Sequence, residues 1–351
     1  MYDRGMSATR SRKVLVIGVG SGARRMMELI HNGSQDHVDT LYITTDEADL
    51  KNTRADVKFL IGRRLCGGKG AMGLTELGEK SAEDAKRDLE PFLQGYPLII
   101  QLATLGKGTA SGASHVVATL GEGLGALVIN FLMIPSSTME SMQRTIANHT
   151  KNRMLKRNFN IVTIDQDRFQ EINGNQPLSR TMEALDALLS WIVLSMSNVI
   201  YGKTSRSLSI SDLRSVFKEG NEGTIFIGGS YLAEPDQAAD EFISCGLLKR
   251  DPKTGKGYIV NLVTPKGAQD RTTQPFIDAL MQRVDGSKKT VFFGNLEDPS
   301  RTNIIDLIGI VTGMEDGKVE LHKLKAQSEA ECGLKPHQHH GPDRWEIPMI
   351  R

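Results

Sequence analysis

The chain has 351 residues, 39% apolar, 24% charged and 5% aromatic, with 43 basic against 42 acidic side chains and a net charge of +1. That is enough core-forming sequence for two domains, and the balanced charge argues against a dedicated nucleic-acid binder. No run of about eighteen apolar residues is present to insert into a bilayer, and Cys66, Cys245 and Cys332 are too scattered for a disulfide or zinc framework, so a reducing cytoplasm is expected.

Residues 1–12 carry Arg4, Arg10 and Arg12 with no apolar export segment behind them, and read as a short loose arm. The continuous apolar run 14–17 predicts a strand buried on both faces, followed by a glycine turn over 18–22 and a helix from Arg24. A second strand over 40–44 ends at Thr45 and Asp46. A third, over 98–103, runs into a glycine cluster at 106–112, with a helix expected over 114–120 and another buried strand over 126–134 closed by Pro135. Strands alternating with helices predict a doubly wound, mostly parallel α/β sheet, with its ligand crevice at the carboxyl ends of the strands.

After a strand over 160–164, the span 178–200 is apolar nearly all round a helix, as expected of a central helix buried between two domains. From residue 224 the pattern changes to a smaller α+β unit: strands over 224–227, 258–263, 290–294 and 303–311, with helices over 234–247 and 274–284. The expected partition is an arm (1–12), a first domain (13–180), the central helix with the segment after it (181–222), a second domain (223–320), and a polar linker with a short exposed peptide (321–351). His337, His339 and His340 lie in that proline-flanked linker, which suits a solvated tract better than a metal site.

Three glycine clusters lie in the first third, at 18–22, 67–73 and 106–112. Backbone amides free of side chains at a helix N-terminus bind phosphate through oriented N–H groups and the helix dipole, although a tight strand-to-helix turn explains any single cluster. Gly18-Val-Gly20-Ser-Gly-Ala23 fits the dinucleotide pattern G-x-G-x-x-[GA], which brings an NAD-binding oxidoreductase into consideration. The acidic residue expected about twenty positions on is not clearly at a strand end, and a second glycine-rich loop near residue 106 is left unexplained. Neither Gly106-Lys107-Gly108 nor Gly255-Lys256-Gly257 supplies a Walker A loop.

All three clusters are accounted for by a resemblance to the tubulin and FtsZ family. Gly106-Lys-Gly-Thr-Ala-Ser-Gly112 resembles its signature G-G-G-T-G-[TS]-G, keeping Gly106, Gly108, Thr109, Ser111 and Gly112 and substituting Lys107 and Ala110. Gly18 and Gly20, with Ser21 and Gly22 behind them, look like the first phosphate loop, Thr45 and Asp46 the second, and Gly70-Ala71-Met72-Gly73 the loop that senses the γ-phosphate. Pro135, Glu140 and Arg144 follow the family's P-F-x-F-E-G-x-x-x-R pattern with one residue inserted, which implies Glu140 on the ribose and Arg144 near the phosphates. Gln166-Asp167-Arg168 resembles the N-D-K segment, and Met182 and Asp186 fall at the positions that hold guanine. The likeness covers roughly residues 13–314, and residues 343–351 look like the FtsZ C-terminal peptide that folds onto a partner.

The resemblance implies GTP or GDP with Mg²⁺, sandwiched between copies of the chain stacked head to tail into a filament. In the family an inserted loop, N-x-D-x-x-D, orients the attacking water. Here Ser209 stands where the first acid belongs and only Asp212 remains, which predicts slow turnover. Asp212 also reads as an ordinary helix N-terminal acid. Lys107 either neutralises phosphate charge or points to solvent, and Ala110 brings a β-carbon where the family has glycine, which would need an acceptable φ or a local rearrangement and would lower nucleotide affinity. Two functions are carried forward: an FtsZ-like cytoskeletal GTPase of cell division, and a non-hydrolysing paralogue that co-assembles with a true FtsZ. A membrane-tether protein is the expected partner of the tail, and NAD-dependent oxidoreduction is the third reading.

Overall fold

A computed structural model describes residues 14–138, 141–174, 176–202 and 204–315. The two ends of the chain, with the expected arm, linker and tail peptide, lie outside the described residues, as does Glu140.

The first strand, β1 (Val14–Val19), alternates its side chains between two buried faces: Val14 and Val16 enter one core, Leu15 and Ile17 another. This is why the run is continuously apolar rather than alternating. Following it come α1 (Arg24–Gly33), β2 (Val38–Thr44), α2 (Glu47–Asn52), β3 (Val57–Leu60), α3 (Arg63–Cys66), α4 (Thr75–Asp84), α5 (Lys86–Leu93), β4 (Leu98–Thr104), α6 (Gly108–Gly123), β5 (Leu127–Ile134), α7 (Ser141–Lys156), β6 (Asn160–Asp165) and α8 (Gln166–Asn173). The central helix α9 (Leu178–Tyr201) leads to α10 (Ile210–Lys218), β7 (Glu222–Tyr231), α11 (Pro235–Ser244), β8 (Gly257–Thr264), α12 (Asp270–Val284), β9 (Thr290–Glu297) and β10 (Ile304–Thr312).

The strands form one ten-stranded sheet in the order β3-β2-β1-β4-β5-β6-β7-β10-β8-β9. The first six are parallel, as expected. The second unit does not make a detached sheet: β7 joins β6 through two parallel pairs, Ile161↔Glu222 and Val162↔Gly223, and β10 then runs antiparallel to both β7 and β8. A partly buried ionic cluster closes this seam. Glu222 accepts from Lys151 at 2.9 Å, Arg250 at 3.0 Å and the Thr163 hydroxyl at 2.9 Å.

Helices α1 and α9 cover one face of the parallel sheet, and α4 to α7 the other. Leu185, Leu188, Leu189, Ile192 and Val193 of α9 share a core with Ile225, Ile259 and Ile308 of the second unit. A helix apolar on most faces is needed to serve both halves, and each such fully buried side chain contributes about 1.5–3 kcal/mol. By length and hydropathy α9 alone among the described helices would also span a bilayer, but 56% of its most apolar window is buried within the protein.

Chain direction across the sheet reverses between β1 and β4: β2 and β3 lie to one side of that pair, β5 and β6 to the other. Loops leaving β1 and β4 therefore diverge over the carboxyl edge of the sheet and open a crevice between them.

Candidate functional site

Two cavities stand out. One is a narrow void between α9, α10 and strands β7, β8 and β10. Its walls are Ile192, Met196, Leu208, Ile225 and similar side chains, a lining unsuited to a phosphate. The other, roomier and open to solvent, lies at the crevice over β1 and β4 and is built largely of loop backbone.

Gly20 takes φ +76°, a conformation L side chains rarely adopt, and turns the chain from β1 into the short helical turn Ser21–Ala23 ahead of α1. Its N–H bonds Ile43 O at 2.9 Å, tying this loop to β2. At the end of β2, Asp46 caps α2 by accepting from Ala48 N at 2.8 Å and Asp49 N at 3.1 Å. The third loop is stitched onto the second: Gly70 N donates to Thr45 O and Glu47 N to Gly68 O. Gly70, Met72 and Gly73 in it all have positive φ.

The fourth loop turns at Gly106, φ +100°, whose N–H is held by Ser111 Oγ at 2.8 Å. Lys107 is extended, and α6 starts at Gly108 with no side chain capping its first turn. The N–H groups of Gly108, Thr109 and Ala110 precede the first intrahelical donor, Ser111 N to Lys107 O at 3.1 Å, so they are open toward the cleft. Open amides at the N-terminus of a sixteen-residue helix form an anion cradle.

Gly20, Ser21, Gly22, Asp46, Ala71, Met72, Gly73, Lys107, Gly108, Thr109 and Ala110, all expected from the sequence, line this cleft together with Thr44, Asp49, Gly70 and Thr104. Gly18, Thr45, Gly106, Ser111 and Gly112 stand behind it as supports. A β-carbon on Gly18 would sit 2.2 Å from Met27 Cγ, and Thr45 Oγ1 is 2.6 Å from Thr109 Oγ1. Ala110 meets the first of the two expected conditions: it lies inside α6 and needs no positive φ.

Other expected residues occupy neighbouring ground. Pro135, Arg144 and Gln166 gather at the carboxyl ends of β5 and β6 but do not line the cleft. Arg144 donates to Pro135 O at 2.6 Å and to Asp165 Oδ2 at 2.8 Å, and pairs with Asp167 at 3.1 Å; Gln166 Oε1 accepts from Ser136 N at 3.0 Å. Burial would raise the Asp167 carboxyl, but hydrogen bonds from Ser136 and Ser137 and the charge of Arg144 hold it below its ordinary value. Met182 and Asp186 lie on α9 beside α1, where Arg25 pairs with Glu183 at 2.9 Å. Burial pushes the Asp186 carboxyl up to about 7, Arg25 opposing and Glu183 adding to the shift.

Asp212 is at the other end of the parallel sheet. Arg214 reaches Gly125 O, just before β5, and Asn221 reaches Leu155 O, just before β6, so α10 lies along the amino edge of the strands. Asp212 and Ser209 form a reciprocal capping box, with Ser209 N to Asp212 Oδ2 at 2.8 Å and Asp212 N to Ser209 Oγ at 3.2 Å.

Asp49, which sequence reasoning missed, follows Asp46 by one helical step. Burial and the Asp46 charge raise its carboxyl, while Arg24 and Lys107 lower it. The oxygen donors of Asp46 and Asp49 suit a hard divalent cation whose remaining ligands are phosphate oxygens and water. Among the described residues no group of three or more His, Cys, Asp or Glu gathers as a self-sufficient metal site.

A backbone-lined cleft over a doubly wound sheet, a long central helix and a second α+β unit together define a tubulin-like GTPase fold. Residues 13–174 match the model of the Tubulin/FtsZ family, GTPase domain, and the chain belongs to the tubulin/FtsZ GTPase superfamily. Within it the likeness is to FtsZ. The chain is 28% identical over 308 residues to the cell division protein FtsZ 1 of Pyrococcus abyssi, covering 86% of this chain and 81% of that protein. The fold of FtsZ from M. jannaschii, solved as an empty dimer, is similar with a TM-score of 0.81 at 23% identity, covering 88% of this chain and 94% of that one. That of CetZ2 from Haloferax volcanii, in a GTPγS-bound protofilament, is similar with a TM-score of 0.73 at 16% identity, covering 92% and 99%. The expected fold class and family are both borne out, and the family's GTPase domain implies a site for GTP or GDP.

Proposed function

We propose that this protein is an FtsZ-like cytoskeletal GTPase that binds GTP in the cleft and stacks head to tail, with slow hydrolysis at the junction. The observation that carries the reading is the convergence of four loops on the open N-terminus of α6, a backbone cradle suited to a polyphosphate. Met182 and Asp186 would hold guanine, Glu140 the ribose, and the amides of residues 108–110 the phosphates. Arg144 would serve the site from the adjoining β5–β6 edge. Mg²⁺ would be held by Asp46 and Asp49 with phosphate oxygens, and when bound it supplies charge neutralisation at the β- and γ-phosphates.

Cleft and α10 lie at opposite edges of the parallel sheet, which supports a heterologous contact in which Asp212 of one copy meets the nucleotide of the next; such a contact does not close on itself. The CetZ2 protofilament with GTPγS lends the same reading a precedent in a protein of similar fold. The sequence partition into arm, GTP-binding domain, central helix, activation domain and tail is retained as part of this proposal. So are a role in division and a partner, a membrane tether, for residues 343–351.

Electron microscopy of the purified protein with GTPγS and with GDP tests it: filaments are expected with the first and few with the second. Absence of guanine-nucleotide binding would refute it. A second reading, a non-hydrolysing paralogue that co-assembles with a true FtsZ, is favoured by one observation. Asp212, the sole acid left in its loop, is already occupied in capping α10. Turnover that rises cooperatively with protein concentration supports the GTPase, and a flat, negligible rate supports the paralogue.

A further inference from the structure

Lys107 is the only basic side chain lining the cleft among the described residues. The other expected cation, Arg144, is engaged by Asp165, Asp167 and Pro135 O on the adjoining edge. The cleft therefore meets a polyphosphate with the neutral amides of the α6 N-terminus, worth about half a positive charge, and with two carboxylates, Asp46 and Asp49, that repel it. Arg24 offsets Asp49 from behind the wall, and Lys107 is the one lining side chain that turns the balance toward an anion.

We propose that Lys107 is a built-in counter-cation for the nucleotide phosphates, so that this protein binds guanine nucleotides with little dependence on Mg²⁺. The inference rests on the proposed GTP-binding reading. Lys107 is the residue before α6, in extended conformation, so its exposed side chain leaves the chain at the mouth of the amide cradle rather than along the helix. A four-carbon stem with a compact ammonium can reach a phosphate at the cradle without moving the backbone. Asp49 is paired with Arg24 at 3.6 Å, so Lys107 is not needed to match its charge. The loop signature carries glycine at this position, where no side chain could do this.

Equilibrium binding of a fluorescent GDP analogue, measured in Mg²⁺ and in EDTA, tests the proposal. The wild-type protein should bind nearly as tightly in EDTA as in Mg²⁺. Lys107→Ala should lose about ten- to a hundredfold in EDTA, the size of a charge-assisted hydrogen bond, and much less in Mg²⁺. Lys107→Arg should retain binding in EDTA, and Asp49→Asn should tighten it. Lys107 is exposed, so the variants are expected to melt with the wild type, and a thermal scan checks this. If EDTA abolishes wild-type binding while Lys107→Ala binds like the wild type in Mg²⁺, the counter-cation role is overturned and GTP binding stands. If the wild type binds no guanine nucleotide under either condition, the GTP-binding reading falls and this inference with it.

Discussion

Asp186 gives the sharpest test of how the base is held. In the free protein burial has pushed its carboxyl up to about 7, with only Arg25 opposing. To accept hydrogen bonds from the N1–H and N2–H edge of guanine the carboxylate must be ionised, and those two donors would then keep it ionised in the complex. In the proposed complex nucleotide binding is coupled to loss of the Asp186 proton, and the apparent dissociation constant varies as the reciprocal of the ionised share of the free protein. Between about pH 8 and about pH 6 the ionised fraction falls from about nine-tenths to about one-tenth, so affinity should weaken about tenfold as pH drops. The phosphates of the ligand also titrate in this range, but they do so equally for Asp186→Asn, whose binding should be weaker at high pH and lack the Asp186 component. The assay is fluorescent GDP binding across that window for both proteins. The stability of the free protein should move the other way. A carboxyl whose folded value is raised binds more protons folded than unfolded, so its contribution is present at low pH and is lost as pH rises from its ordinary 3.8 through about 7. Parallel pH profiles for wild type and Asp186→Asn, in binding and in melting, would refute the reasoning.

Three further outcomes are expected. Asp212→Asn keeps an acceptor for the Ser209 N–H, so stability should change by less than the roughly 1 kcal/mol of a lost cap, and binding by the monomer should not change. If the charge orients water in the neighbouring subunit, turnover in the assembled form should nevertheless fall about a hundredfold, as read in a phosphate-release assay. Gly112→Ala would set a β-carbon 2.1 Å from Thr75 O and 2.5 Å from Glu79 N, prising α4 from α6; denaturant unfolding should show a loss of about 2–3 kcal/mol or more. Glu222→Gln leaves Lys151 and Arg250 facing each other at the seam between the two units and should destabilise by about 3 kcal/mol. Burial raises the Glu222 carboxyl, but Lys151, Arg250 and Thr163 outweigh it and hold the group below its ordinary 4.5. Its contribution is therefore present above that pH and is lost as pH falls through the lowered value, and acid melts of wild type and variant should converge there.

The sheet was legible in the sequence because its strands are buried on both faces, which leaves apolar runs such as 14–17 and, broken only by Asn130, 126–134. The elements that escaped carry no such mark. Strand β3 is four residues long with Lys58 pointing out, α5 contains Pro91, and α7 is polar with only Ala147, Thr150 and Met154 buried. Helix α4 was hidden by Gly78, whose missing side chain reads as a breaker when taken locally. In the fold it is a contact: a β-carbon there would lie 2.2 Å from Gly108 O. The same logic divides the glycine signature. Gly106 and Gly20 are required by backbone conformation, φ +100° and +76°, whereas Gly108 and Gly112 lie in a helix and are required by the approach of α4. Ala110, between them in α6, needs neither property, and its β-carbon fills the space beside Gly20. A residue count against the signature treats Ala110 and Lys107 as two equal losses. Ala110 fits the helix without strain, so the departure that bears on the proposed nucleotide site is Lys107, where a charge has been added to a loop otherwise made of backbone.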